Sequence, residues 1–104
     1  MSSMFSSCES LEYLNIDSFI TSEVKDMSFM FINCKSLTSL NLKIDTKNVV
    51  DMSHMFHSCK NLKELDLSKF NMKNVIDMSG MFEECESLKS LDLSNKNISN
   101  VKHM

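Results

Sequence analysis

From Val24 the apolar residues fall at Met27, Met30, Phe31, Cys34 and Leu37, the three-and-four spacing of one helical face. The same set recurs from Val49 and from Val75, so the spacing predicts a short helix in each place. Asp26, Asp51 and Asp77, or Ser28, Ser53 and Ser79 two places on, stand where an N-cap would accept an orphan backbone N–H. After this block the pattern switches to alternation. Leu14 and Ile16, Leu40 and Leu42, Leu65 and Leu67, Leu91 and Leu93 point one way with polar residues between them, which predicts strands of about four or five residues. A polar return follows, holding Phe19, Ile44, Phe70 or Lys96, before the next valine.

These segments are copies of one unit. Cys8, Cys34, Cys59 and Cys85 are 26, 25 and 26 residues apart, and the Met-Phe pairs beginning at Met4, Met30, Met55 and Met81 keep the same intervals. The chain therefore divides into repeats 1 to 4, residues 1–26, 27–51, 52–77 and 78–103, with Met104 opening a fifth. Repeat 2 is one residue short between Leu42 and Ile44, a slip most easily placed in a loop. One helix and one strand per unit join the next unit only through a crossover, so equivalent strands are expected to lie parallel and in register. A single unit has too little apolar surface to offset the entropy of ordering it, whereas stacking buries both flanks of each inner turn. The outer repeats keep the same apolar set as the inner ones. The segment thus reads as part of a longer array, with uncapped ends suited to self-association.

The block Val-x-Asp-Met-Ser-x-Met-Phe-x-x-Cys-x-Ser/Asn-Leu-x-x-Leu-x-Leu, as in Val75 to Leu93, resembles the repeat of the BspA-like leucine-rich-repeat surface proteins and lipoproteins. The resemblance covers all four units. Departures are small: repeat 1 lacks the preceding Asp, His103 stands where Asp is usual, and Lys96 replaces the aromatic of the return. It implies a curved solenoid on cell-surface or secreted proteins, used for adhesion or protein recognition, with no catalytic residues to carry over. The expected fold is therefore α/β: a right-handed leucine-rich-repeat solenoid of four turns of 25–26 residues, each a short helix plus a short parallel strand.

Composition narrows the function. The net charge is −3 and the 11 basic residues are scattered lysines, which provides no basic stripe for a phosphate backbone. Nucleic acid is not an expected partner. The longest apolar run, Phe29 to Ile32, falls far short of the ~20 residues that cross a bilayer, so no transmembrane segment is expected in this chain. Gly80 is the only glycine, and no serine has a histidine and an acid arranged around it. Neither an enzyme nor a cofactor is expected, and catalysis would need a pocket completed by another domain.

Four cysteines raise metal and disulfide readings. Equivalent positions in stacked turns lie along a line ~5 Å apart, whereas structural zinc needs four thiolates around a point, and parallel Cβ vectors disfavour the disulfide torsion. Small buried thiols between Phe and Leu are the expectation. His54 and His57 sit one helical turn apart with Glu83 one repeat along, but their equivalents (Ser3, Phe29, Gly80; Ser6, Ile32) vary as an outward surface does. They are read as solvated imidazoles, with no metal assigned. Phe29 and Ile32 form a small apolar spot, and Asn97-Ile98-Ser99 is a glycosylation acceptor only in a eukaryotic secretory route.

The partner-binding candidates lie between the buried strand residues. Asn15, Asn41, Asp66 and Asp92 form one line, with Tyr13, Ser39, Glu64 and Ser90 beside it and Asp17, Lys43, Ser68 and Ser94 on the other flank. Tyr13, Asn15, Asn41, Glu64, Asp66 and Asp92 are the candidate face for a protein or other macromolecular ligand, on a surface that is polar and mildly acidic. The competing expectation is a structural segment that stacks end to end into filaments or a stalk.

Overall fold

The computed structural model describes residues 1–89 and 91–104. Its main departure from expectation is in the blocks with helical spacing. The described residues contain no helix, and the regular structure is limited to β1 (Ser39–Asn41) and β2 (Glu64–Asp66), paired parallel in one open two-stranded sheet. The expected solenoid of helix-plus-strand turns is therefore corrected.

The backbone explains why the helix fails. Phe29 and Asn33 in repeat 2 have φ of 56° and 59°, and the same pair of left-handed positions recurs at Ser3 and Ser7, His54 and Ser58, Gly80 and Glu84. An α-helix needs an unbroken run of negative φ, so two reversals four residues apart exclude it. The donors are also divided differently. The N–H groups of Met27, Phe29, Phe31 and Asn33 donate to the carbonyls of Asp51, Ser53, Met55 and His57 in the next repeat, at 2.9–3.0 Å. Those of Ile32, Cys34 and Leu37 close local turns onto Phe29, Phe31 and Cys34, three residues back. A helix would have kept all of these within one segment; here every second donor ties one repeat to its neighbour. Repeat 3 does the same, from Met52, His54, Phe56 and Ser58 to Asp77, Ser79, Met81 and Glu83.

The helical spacing nevertheless located the interior. Met27, Met30, Phe31, Cys34 and Leu37 are all fully buried, as are Val49, Met52, Met55, Phe56, Cys59 and Leu62. A chain of tight turns presents side chains to the core at intervals that a helical template also fits. Phe5, Phe31, Phe56 and Phe82 stack in one file, with ring centroids 5.4–5.7 Å apart and planes within 6° of parallel.

The anticipated N-caps became turn locks. The carboxylates of Asp26, Asp51 and Asp77 accept the N–H of Ser28, Ser53 and Ser79 at 2.8–2.9 Å, closing a side-chain turn two residues long. Parallel bridges join Asp26 to Asp51, Asp51 to Asp77, and Asp77 to His103. A third line of bonds runs through side-chain amides: Asn48, Asn74 and Asn100 donate to the carbonyls of Ser22, Lys47 and Lys73, each at 2.7 Å.

Strand formation is also narrower than the alternation implied. Registers are Ser39 with Glu64, Leu40 with Leu65 and Asn41 with Asp66, and repeat 1 contributes only the bridge from Asn15 to Asn41. The one-residue deletion of repeat 2 falls after β1, where it leaves this register intact.

Candidate functional site

The β1–β2 pairing sets the candidate face. Alternation buries Leu40, Leu42 and Leu67 and turns Asn41, Glu64 and Asp66 outward, while Tyr13 is 64% exposed. Tyr13, Asn41, Glu64 and Asp66 surround one shallow hollow, of about 250 Å³, floored by Leu40. Asp66 also lines a second hollow, of about 290 Å³, together with Asp92, Asn95 and Lys96. Asn15 joins the row through its bridge to Asn41. Five of the six sequence-derived candidates thus line two hollows that share Asp66, and Asn15 lines neither. Ser90, expected on the flank of this row, lies outside the described residues.

The polar positions are held in place by their own backbone. Asn15 Oδ1 accepts the N–H of Asp17 at 2.9 Å, Asp66 Oδ1 that of Ser68 at 2.8 Å, and Asp92 Oδ1 both the N–H and the hydroxyl of Ser94, at 2.9 and 2.6 Å. These bonds favour the charged form. The Ser68 N–H lowers the Asp66 pKa, and the Ser94 hydroxyl followed by its N–H lowers that of Asp92. Both carboxylates are therefore ionised over the whole physiological range.

Lys96 has a role that the sequence did not reveal. In place of the aromatic, its stem enters the return and its ammonium donates to the carbonyls of Ser68 at 3.1 Å and Phe70 at 2.9 Å, capping repeat 3. Its charge also stabilises the ionised forms of Asp66 and Asp92. Only the break in the column of aromatic and aliphatic residues could have flagged it.

The cysteines are free thiols, Cys34 and Cys59 buried and Cys8 and Cys85 half-buried. Cys34, Cys59 and Cys85 each donate to the carbonyl of the phenylalanine in the preceding repeat, Phe5, Phe31 and Phe56, at 3.1 Å. Burial pushes Cys34 up to about 11 and Cys59 up to about 12, so these thiols are protonated spacers.

The remaining candidates separate. Phe29, 37% exposed, is stacked on the His54 ring at 5.1 Å, so the expected apolar spot is partly covered by an imidazole. Asn97 Oδ1 accepts the N–H and hydroxyl of Ser99, a turn of the same kind as at Asp92. His54, His57 and Glu83 come together, with one ligand atom of each within 4.8 Å of the others. The two imidazoles are half-buried rather than freely solvated. No helix among the described residues is long and apolar enough to cross a membrane.

Stacked, hydrogen-bonded repeats with a lateral polar face define the class: a repeat protein in which each copy supplies the next with backbone partners. The chain belongs to the family described as Mycoplasma protein of unknown function, DUF285, whose model matches residues 1–104. No curated protein and no solved structure matches it.

Proposed function

We propose that the chain is a non-catalytic scaffold, displayed at the cell surface or outside the cell, that recognises another protein through the Tyr13–Asp92 face. The carrying observation is the pair Asp66 and Asp92, ionised and fixed by their own turns on adjacent repeats, with the exposed Tyr13 sharing a hollow with Asp66. Such preorganisation lowers the entropy lost on binding. The resemblance of the repeat to BspA-like surface proteins supports the same assignment. A partner with a basic patch fits best, since like charges on neighbouring repeats attract a complementary surface.

The test replaces Tyr13, Glu64, Asp66 and Asp92 together with alanine and measures retention on a panel of immobilised basic proteins alongside thermal unfolding. Retention should be lost, and should fall with added salt in the wild type, while the melting midpoint moves little. Retention by the quadruple variant would exclude this face.

A second reading has its own observation. Repeat 1 leaves Phe5, Cys8, Leu11 and Leu14 only partly buried, and repeat 4 leaves Phe82, Cys85, Leu91 and Leu93 in the same condition, so both ends offer the same apolar file. Docking of one end on the other is a heterologous contact that does not close, and it produces filaments. Light scattering at rising concentration distinguishes the readings, because a monomer throughout excludes assembly.

A further inference from the structure

We propose that His54, His57 and Glu83 form a binding site for a zinc-class divalent cation, linking repeat 3 to repeat 4. Two imidazoles and a carboxylate are a donor set suited to zinc and its neighbours. One ligand atom from each lies within 4.8 Å of the others. The separation of His57 Nδ1 from Glu83 Oε2 is 3.4 Å. Two donors bound to one tetrahedral zinc at ~2.0–2.1 Å lie roughly 3.4 Å apart, so this pair already has the required spacing. His54, the third donor, joins by closing a separation of up to 4.8 Å by about 1.4 Å, a slide of its ring along the face of Phe29.

Two independent features point to a ligand. His57 Nδ1 is buried and has no hydrogen-bond partner among the described residues, although its side chain as a whole is 23% exposed. At 3.4 Å the Glu83 carboxylate is near enough to attract but does not form the bond, and buried nitrogens are seldom left in that state. A cation between them would satisfy both. The second feature is Gly80, the only glycine in the chain. Its φ of +58° does not by itself require glycine, because Ser3, Phe29 and His54 hold φ of 52–57° at the equivalent positions. What requires glycine is space. A Cβ there would lie 2.5 Å from His54 Nδ1 and 2.9 Å from Glu83 Oε2, so the missing methyl group leaves a cradle between two of the donors. Phe29 stacked on His54, with an interplanar angle of 13°, and the edge of His57 at 5.4 Å fix the orientation of the imidazole. Aligned sequence positions had marked these residues as variable surface; their variability reflects a site built once, at the junction of repeats 3 and 4.

The experiment titrates the whole chain with Zn²⁺ by calorimetry and with Co²⁺ by absorption. One ion per chain is expected, with a cobalt spectrum of nitrogen and oxygen donors and a thermal midpoint that rises with Zn²⁺. Glu83→Gln, exposed enough to leave folding alone, should weaken Zn²⁺ by at least about tenfold, and His57→Asn by more. Gly80→Ala should weaken it similarly by filling the cradle. The melting midpoint of each metal-free variant shows whether it folds. Zn²⁺ affinity weaker than about 1 mM, affinity unchanged by Glu83→Gln, or a cobalt spectrum dominated by thiolate charge transfer would each overturn the proposal.

Discussion

Repeats 2 and 3 and the outer repeats 1 and 4 carry the same phenylalanine and cysteine at equivalent positions, but these are buried to different depths. Phe31 and Phe56 are inaccessible to solvent while Phe5 and Phe82 are half-buried, although all four belong to one stacked file with nearly identical ring spacing. The cysteines divide in the same way, Cys34 and Cys59 against Cys8 and Cys85. Identity of residue at equivalent positions therefore does not give identity of environment. A side chain in this architecture is buried by the repeats on either side, and a position with one neighbour has half the cover.

The comparison breaks most visibly at the phenylalanines. Phe56→Ala should cost about 3–5 kcal/mol, enough to threaten a domain whose total stability is of order 5–15 kcal/mol. Phe82→Ala, with one face uncovered, should cost about half as much. Denaturant midpoints of the two variants measure the ratio, and equal losses would mean that the outer ring is as well packed as the inner one.

Thiol labelling sharpens the same contrast without a mutation. With its pKa at about 11, no more than about one Cys34 thiol in a thousand is ionised at pH 8, and access is closed as well. Mass spectrometry of chains briefly exposed to a thiol reagent should find Cys8 and Cys85 modified first, and Cys34 and Cys59 only once denaturant is added. Uniform labelling of all four in native buffer would remove the idea of a dry interior.

The smallest effect concerns the turn locks. Asp77 closes a turn at a bridge shared with Asp51 and His103, whereas Asp92 closes one on an exposed edge. Asp77→Ala should cost about 1 kcal/mol, in the range of lost side-chain caps, and Asp92→Ala less. Folding lowers the carboxyl pKa of both, through the Ser79 and Ser94 hydroxyls and N–H groups. Their contribution is thus present above the unfolded aspartate value of about 3.9 and is lost as pH falls through the lower folded value. Urea midpoints followed into that acid range should drop for the wild type and drop less for Asp77→Ala.

Much of this was legible in the sequence, though unevenly. The interior was readable from Met27, Met30, Phe31, Cys34 and Leu37, because apolar spacing reports which side chains face inward whatever the backbone does between them. The outward positions Asn41, Glu64 and Asp66 were readable from the alternation around Leu40 and Leu65. The helix was not, because three-and-four spacing fits a run of tight turns as well as it fits a helix, and φ at Phe29 has no signature in residue type. Asn33, His54 and Gly80 are types that tolerate positive φ, but Ser3, Ser7, Ser58 and Glu84 hold the same conformation without such a preference.

Residue order by itself determined the repeat length, the inward and outward positions, and which side chains stack in files, since these follow from a 25- or 26-residue period and from hydrophobicity. The tertiary structure alone decided where each backbone N–H found its carbonyl, how deeply each copy is buried, and that His54, His57 and Glu83 meet. A donor such as Phe29 N–H chooses between its own segment and the next repeat only when that repeat is present, and the carbonyl of Ser53 lies 24 residues away.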